Sequence, residues 1–183
     1  MMIMVNPIEE LEKFENTTNV FNAQTIQYTK DQISDLFKKA ETEVPKDQKG
    51  NDRLEEAVKR AYKLAAEKLL SEFEETEVAY ASITIQDKTD EICKYYIKSG
   101  KNIPTERIND AFKRAHGISA EKKLTDLETS KSPYHANVVA ARAKEINEHY
   151  KKSGKNIPTE RIKAAVETAL QKSSNHPYTT VEI

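Results

Sequence analysis

Cysteine occurs once, at Cys93, tryptophan is missing, and 183 residues hold only four glycines and six prolines. A single thiol excludes an internal disulfide and any cysteine-rich zinc site. With so little glycine and proline, and with 37% apolar and 32% charged residues, neither a turn-rich β-sandwich nor a disordered low-complexity chain fits. A charged helical protein does. Charge of one sign is also lacking: 29 basic residues face 30 acidic ones, for a formal net charge of −1. Polyanion binding by overall charge is thereby excluded, while a local basic patch stays open. No apolar run approaches the roughly 18 residues that a membrane span needs. The opening Met1-Met2-Ile3-Met4-Val5-Asn6-Pro7 is too short for a signal segment, and acidic residues follow at once. We therefore expect no membrane partner and a cytoplasmic setting, with signal-less secretion also compatible.

What the chain does contain is a repeat. Lys98-Ser99-Gly100-Lys101-Asn102-Ile103-Pro104-Thr105-Glu106-Arg107-Ile108 recurs unchanged 54 positions later, from Lys152 to Ile162. One further step back from Arg107 lands on Arg53, where the pattern appears a third time. Leu54, Ala57, Val58 and Ala61 match Ile108, Ala111, Phe112 and Ala115, then Ile162, Ala165, Val166 and Ala169. These positions fall at i, i+3, i+4 and i+7, one face of a helix, here called helix B.

Upstream lies helix A. Tyr134, Val139, Ala143, Ile146 and Tyr150 align with Tyr80, Ile85, Thr89, Ile92 and Tyr96 at the same offset. In the first unit Phe21, Ile26, Ile33 and Phe37 take these places at an offset of 59, because the loop to helix B carries five more residues. Gly100 and Gly154 stand where a helix needs a left-handed residue, and lysines precede them to face the negative helix end. Pro104 and Pro158 suit a first helical position, Glu106 and Glu160 complement its positive end, and Asp52 with Glu55 makes a capping pair. After helix B the units diverge. His116-Gly117 predicts a break, with a short helix from Ser119 to Glu128, whereas Arg53 to about Glu75 reads as one helix with Leu64, Leu70 and Phe73 facing a core.

The expected fold is thus an all-α, α-solenoid-like helical repeat array of three helix–loop–helix units about 54 residues long. Its parts are a capping segment at 1–20 containing a short helix Ile8–Phe14, repeats at 21–79, 80–133 and 134–177, and a tail at 178–183. Together they form one continuous domain. Pro177-Tyr178 resembles Pro133-Tyr134 ahead of helix A, as a fourth repeat would begin.

Identity between the second and third units is concentrated. All eleven residues of loop and cap match, but Tyr80–Ile97 and Tyr134–Lys151 agree at only four of eighteen positions. One explanation is structural: Gly, Ile, Pro, Glu and Arg define a stiff hairpin, with Ile103 and Ile157 plugging the helix pair. It leaves Lys101, Asn102 and Thr105, with Lys155, Asn156 and Thr159, without a reason to match, since loops normally expose and vary such residues. The other explanation gives these residues and the helix-B N-terminus an anionic partner group. Gene conversion is a third source of identity.

Other chemistry is weakly supported. Gly100-Lys101-Asn102 lacks the upstream glycine and the following Ser/Thr of a phosphate-binding loop, and Gly154-Lys155-Asn156 fails likewise. His116, His135, His149 and His176 show no metal-ligand spacing; His149 reads as a partly buried helix residue. Cys93 lies mid-helix, and its aligned partner is Asn147. Tyr96 occupies a core position, which disfavours Tyr95-Tyr96 as a stacking platform. The run Glu72–Glu77 reads as a solvated helix end. We expect no enzyme, cofactor or metal, but a protein-interaction or scaffold module. Its candidate partner-binding residues are Lys98, Lys101, Asn102, Thr105, Arg107, Lys152, Lys155, Asn156, Thr159 and Arg161. The alternative is a nucleic-acid or phosphate-binding helical repeat protein using the same loops.

Overall fold

The computed structural model describes residues 5–131 and 133–174. Met1–Met4, His176, Pro177-Tyr178 and the expected tail at 178–183 lie outside the described residues. Seven helices and no strand occur among the described residues: α1 (Pro7–Asn16), α2 (Ala23–Lys39), α3 (Arg53–Glu75), α4 (Ser82–Ser99), α5 (Thr105–Thr129), α6 (Ala136–Ser153) and α7 (Thr159–Ser174). None of them is long and apolar enough to cross a membrane.

Local chemistry explains where these helices start and stop. Asn6 Oδ1 accepts from the Ile8 N–H at 3.0 Å, and Pro7 follows as first helical residue of α1. Asn22 Oδ1 accepts from Thr25 N–H at 2.8 Å to open α2. Asp52 Oδ1 accepts from Glu55 N–H at 3.0 Å to open α3. Glu55 does not return the bond; its carboxylate sits 2.7 Å from Lys30 Nζ, so the capping pair is one-sided.

The ends of α4 and α6 are built alike. Gly100 and Gly154 have φ of +67° and +70°, and their N–H groups donate back to Ile97 O and Lys151 O at 3.0 and 3.3 Å. Both glycines therefore do what their positions require, turning the chain where a side chain would strain it. Pro104 and Pro158 stand one residue before the first helical position, not in it; Pro158 O already accepts the first helical bond, from Ile162 N–H at 3.0 Å.

One expectation is overturned. His116-Gly117 does not break the chain: α5 runs through it for 25 residues. Gly117 is buried, and a Cβ there would meet only the Lys155 side chain, 3.3 Å from its Nζ. Glycine costs a helix about 1 kcal/mol relative to alanine. The apolar face formed by Ala115, Ala120, Leu124 and Leu127, all 2% exposed or less, outweighs that, since burying one leucine contributes about 1.5–3 kcal/mol.

The chain folds as two compact bodies. The first comprises Met1–Glu72 and Asp90–Pro104, and the second Phe73–Thr89 and Thr105–Ile183. In the first body Leu11, Phe14, Ile26, Ile33, Phe37, Leu54, Ala57, Ala61, Leu70, Ile92 and Tyr96 are buried. In the second a continuous apolar cluster joins Ala120, Leu124 and Leu127 of α5 to Val139, Ile146 and Tyr150 of α6 and Ile162, Ala165 and Ala169 of α7. In the expected stripes of helix B the i, i+3 and i+7 positions are buried in all three units, while Phe112 and Val166 at i+4 are half-buried. Small alanines at 57, 61, 111, 115, 165 and 169 let neighbouring backbones approach closely.

Candidate partner-binding loops

The two identical loops are held from within by the same bonds. Ser99 Oγ donates to Tyr96 O at 2.6 Å and accepts from Lys101 N–H at 3.2 Å. Ser153 Oγ does the same with Tyr150 O and Lys155 N–H, at 2.6 and 3.2 Å. Both serines are buried, so each hydroxyl satisfies backbone groups that the tight turn takes out of water. Tyr96 Oη donates to Glu67 at 2.6 Å, and Tyr150 Oη to Glu121 at 2.7 Å. The loops are thus tied to the preceding helix by one tyrosine–glutamate bond each.

Arginines complete this frame. Arg161 pairs with Glu128 at 2.7 Å and with Glu121 at 2.8 Å. Hydrogen bonds to Glu128 and then Glu121 raise its pKa further above the ordinary arginine value. The Tyr150 bond, then the Arg161 bond, hold the Glu121 carboxyl below the usual range. Desolvation, and next the Glu121 carboxylate, push the Tyr150 phenol up to about 12. Arg107 pairs with Glu74 in the same way, and Arg53 with Glu15. Glu15, Glu74 and Glu128 stand 59 and 54 residues apart, the same offsets that align the helices in sequence. About two turns further along helix B, Arg60 Nη1 donates to Thr17 O at 2.6 Å and Arg114 Nη1 to Thr76 O, and about three turns past Arg161 Lys172 Nζ donates to Ser130 O at 2.7 Å. These carbonyls stand one residue past the ends of α1, α3 and α5, where a positive charge also meets the negative helix end. The run Glu72–Glu77 is therefore not simply solvated: Glu74 and Glu77 hold Arg107 and Arg114.

The ten candidate residues separate into two groups. Arg107 and Arg161 are paired with carboxylates. Lys98 lies over the Tyr62 ring at 5.1 Å from its centroid, and Lys152 donates to Ser82 Oγ at 2.8 Å. Thr105 and Thr159 begin helices, Thr159 Oγ1 lying 3.4 Å from Ile157 O. Lys101, Asn102, Lys155 and Asn156 are exposed, and among the described residues their side chains show no hydrogen bond or ion pair. Ile103 and Ile157 do not plug the helix pairs as expected; each is 37% exposed at the loop surface.

Sequence reasoning missed one cluster. His116 and His149 are 0% and 1% exposed, and their Nδ1 atoms lie 2.7 Å apart. Both Nε2 atoms are buried without a hydrogen-bond partner. Desolvation, then the neighbouring His149 and Lys152, lowers the His116 pKa to about 4. Desolvation and Lys123 lower that of His149. The residues 54 positions earlier are Tyr62 and Tyr95, two buried rings whose centroids are 5.6 Å apart. That alignment was the available signal: a longer aromatic pair at one offset predicts a packed pair at the next. Cys93 is half-buried, and desolvation raises its thiol pKa, the reverse of an activated nucleophile. Tyr95 and Tyr96 are both core residues.

Comparison of the chain with known protein families, with curated proteins and with solved structures finds no match.

Proposed function

We propose that the chain is a helical-repeat interaction module of three units about 54 residues long, which presents its A–B loops to a protein partner in the cytoplasm. The observation that carries this reading is a division of labour within the identical segments. Glycine, serine and arginine make the internal bonds that define the hairpin. Lys101-Asn102 and Lys155-Asn156 make none with their side chains, yet they recur unchanged beside helices that have diverged. A lysine and an amide without side-chain hydrogen bonds or ion pairs, at the tip of a hairpin braced by its own bonds, suit recognition of an acidic or polar group on another molecule, at little entropic cost to the backbone. The repeat itself is supported by hydrogen bonds that recur at the sequence offset, Tyr96–Glu67 with Tyr150–Glu121 above all.

Affinity capture from a lysate with the wild-type chain and with Lys101→Ala/Lys155→Ala tests this, run with and without nuclease. A protein captured by the wild type, lost with the double variant and indifferent to nuclease is the expected outcome. Equal capture by both chains removes the loops from recognition. Nuclease-sensitive capture moves the reading to nucleic acid, and the double variant should then flatten the salt dependence because fewer counterions are released.

A further inference from the structure

We infer that the first of the two identical loops forms one wall of a phosphate-binding hollow, a site absent from its sequence twin. A hollow of about 370 Å³ lies between α3 and the turn after α4, lined by Glu56, Lys59, Arg60 and Lys63 of the helix and by Ser99 to Lys101 of the turn. Four cations and one carboxylate line it. Glu56 offsets only Lys59, at 2.8 Å. Arg60 gives one guanidinium nitrogen to Thr17 O and has no carboxylate partner among the described residues. Lys63 and Lys101 are exposed, with no side-chain hydrogen bond or ion pair among the described residues. Three cationic side chains without a carboxylate partner therefore line one concave, polar space, an arrangement suited to a doubly charged oxyanion. A carboxylate would neutralise only one of them. The volume takes a phosphate with part of whatever carries it.

The second loop has the same eleven residues but different surroundings. Where the first body has Lys63, the second has Gly117, and Lys155 lies across that glycine. Arg114, the counterpart of Arg60, is bound to Glu77, whose own counterpart is Thr18. One cation is thus missing, a second is neutralised and a third is laid over the glycine. Identical loop sequences give unequal sites because helix B and the preceding segment differ. This inference rests on the loop-recognition reading and narrows it: the group recognised at the first loop is a phosphomonoester, on a phosphorylated side chain or as free phosphate.

The test is a nitrogen-15 NMR titration at constant ionic strength. The probes are inorganic phosphate, a peptide of neutral sequence bearing one phosphoserine, and the same peptide without phosphate. Saturable shifts at the Gly100 and Lys101 amides, without matching shifts at Gly154 and Lys155, are expected. Lys63→Ala/Lys101→Ala should weaken the binding by about tenfold or more, and Lys144→Ala, at an exposed lysine of α6 outside both loops, should not. Both residues of the double variant are exposed and unbonded, so its amide spectrum should otherwise overlay the wild type. Tighter binding of the phosphopeptide than of inorganic phosphate assigns the source to a phosphorylated protein. Equal binding assigns it to free phosphate. Equal shifts at both loops, equal binding of the unphosphorylated peptide, or indifference to Lys63→Ala/Lys101→Ala overturns the inference. Such a failure leaves the loop reading standing, because that reading falls only if Lys101→Ala/Lys155→Ala keeps its partner.

Discussion

Acidification should loosen α5 from α6, because the two buried imidazoles between them have no room for a proton. In the neutral pair one Nδ1–H donates to the other Nδ1 at 2.7 Å. A second proton would set two N–H groups head to head, and either charge would sit in a desolvated core. The charged groups around the pair are Lys152 and Lys123, which oppose protonation, and Glu145 and Glu148, which favour it. Glu145 is 4.0 Å from His149 Nε2 but pairs with Lys123 at 2.8 Å. The His116 pKa falls from 6.5 in the unfolded chain to about 4 in the folded one. As pH drops below 6.5 the unfolded chain binds protons that the folded one refuses, so stability falls; above 6.5 both states are neutral and the pair adds no pH dependence. His116 alone should cost about 2 kcal/mol at pH 5 and about 3.4 kcal/mol once pH is well below 4. His149, shifted the same way, adds to the loss, and the two titrate as a coupled pair. The assay is amide hydrogen exchange of α5 and α6 between about pH 7 and pH 5, corrected for intrinsic exchange, since a chain of two bodies need not unfold in one step. His116→Tyr/His149→Tyr restores the pairing seen at Tyr62 and Tyr95 and should abolish the pH dependence in this window. An equal loss of protection in wild type and variant, or a His116 proton titrating near 6.5, would refute the argument.

Two glycines should respond to alanine with opposite signs. Gly100→Ala puts a side chain at a φ of +67° and should destabilise by about 1–2 kcal/mol. Gly117→Ala gains up to about 1 kcal/mol of helix propensity and displaces only the flexible end of Lys155; urea unfolding of both variants reads the difference. Ala111, 3% exposed on the packed face of α5, should not accept leucine: Ala111→Leu overpacks the contact and should cost about 1–3 kcal/mol. A wild-type denaturation midpoint would place that residue outside the packing. Deleting 80–133 should leave a folded, shorter chain with a mostly helical circular dichroism spectrum, because Glu74 would then meet Arg161 in place of Arg107. A disordered product would count against interchangeable units.

The all-α character was determined by the sequence alone. Apolar residues at i, i+3, i+4 and i+7 admit one buried helical face, and Gly100 and Gly154 can end a helix because only glycine takes a positive φ without strain. These are local constraints, carried by residues a few positions apart. What the tertiary structure decided involves residues brought together over distance. Gly117 reads as a breaker by propensity, but the packing of Ala115, Ala120 and Leu124 on one face keeps α5 continuous. His116 and His149, 33 positions apart, become a proton-poor pair only when α5 lies against α6. Ile103 and Ile157 look like core residues by type, yet the Ser–Tyr and Arg–Glu bonds already complete the hairpins and leave both at the surface. Lys101 and Lys155 stand in identical segments and still face different surroundings, because electrostatics at a loop is set by residues far along the chain: Lys63 on one side, Gly117 on the other.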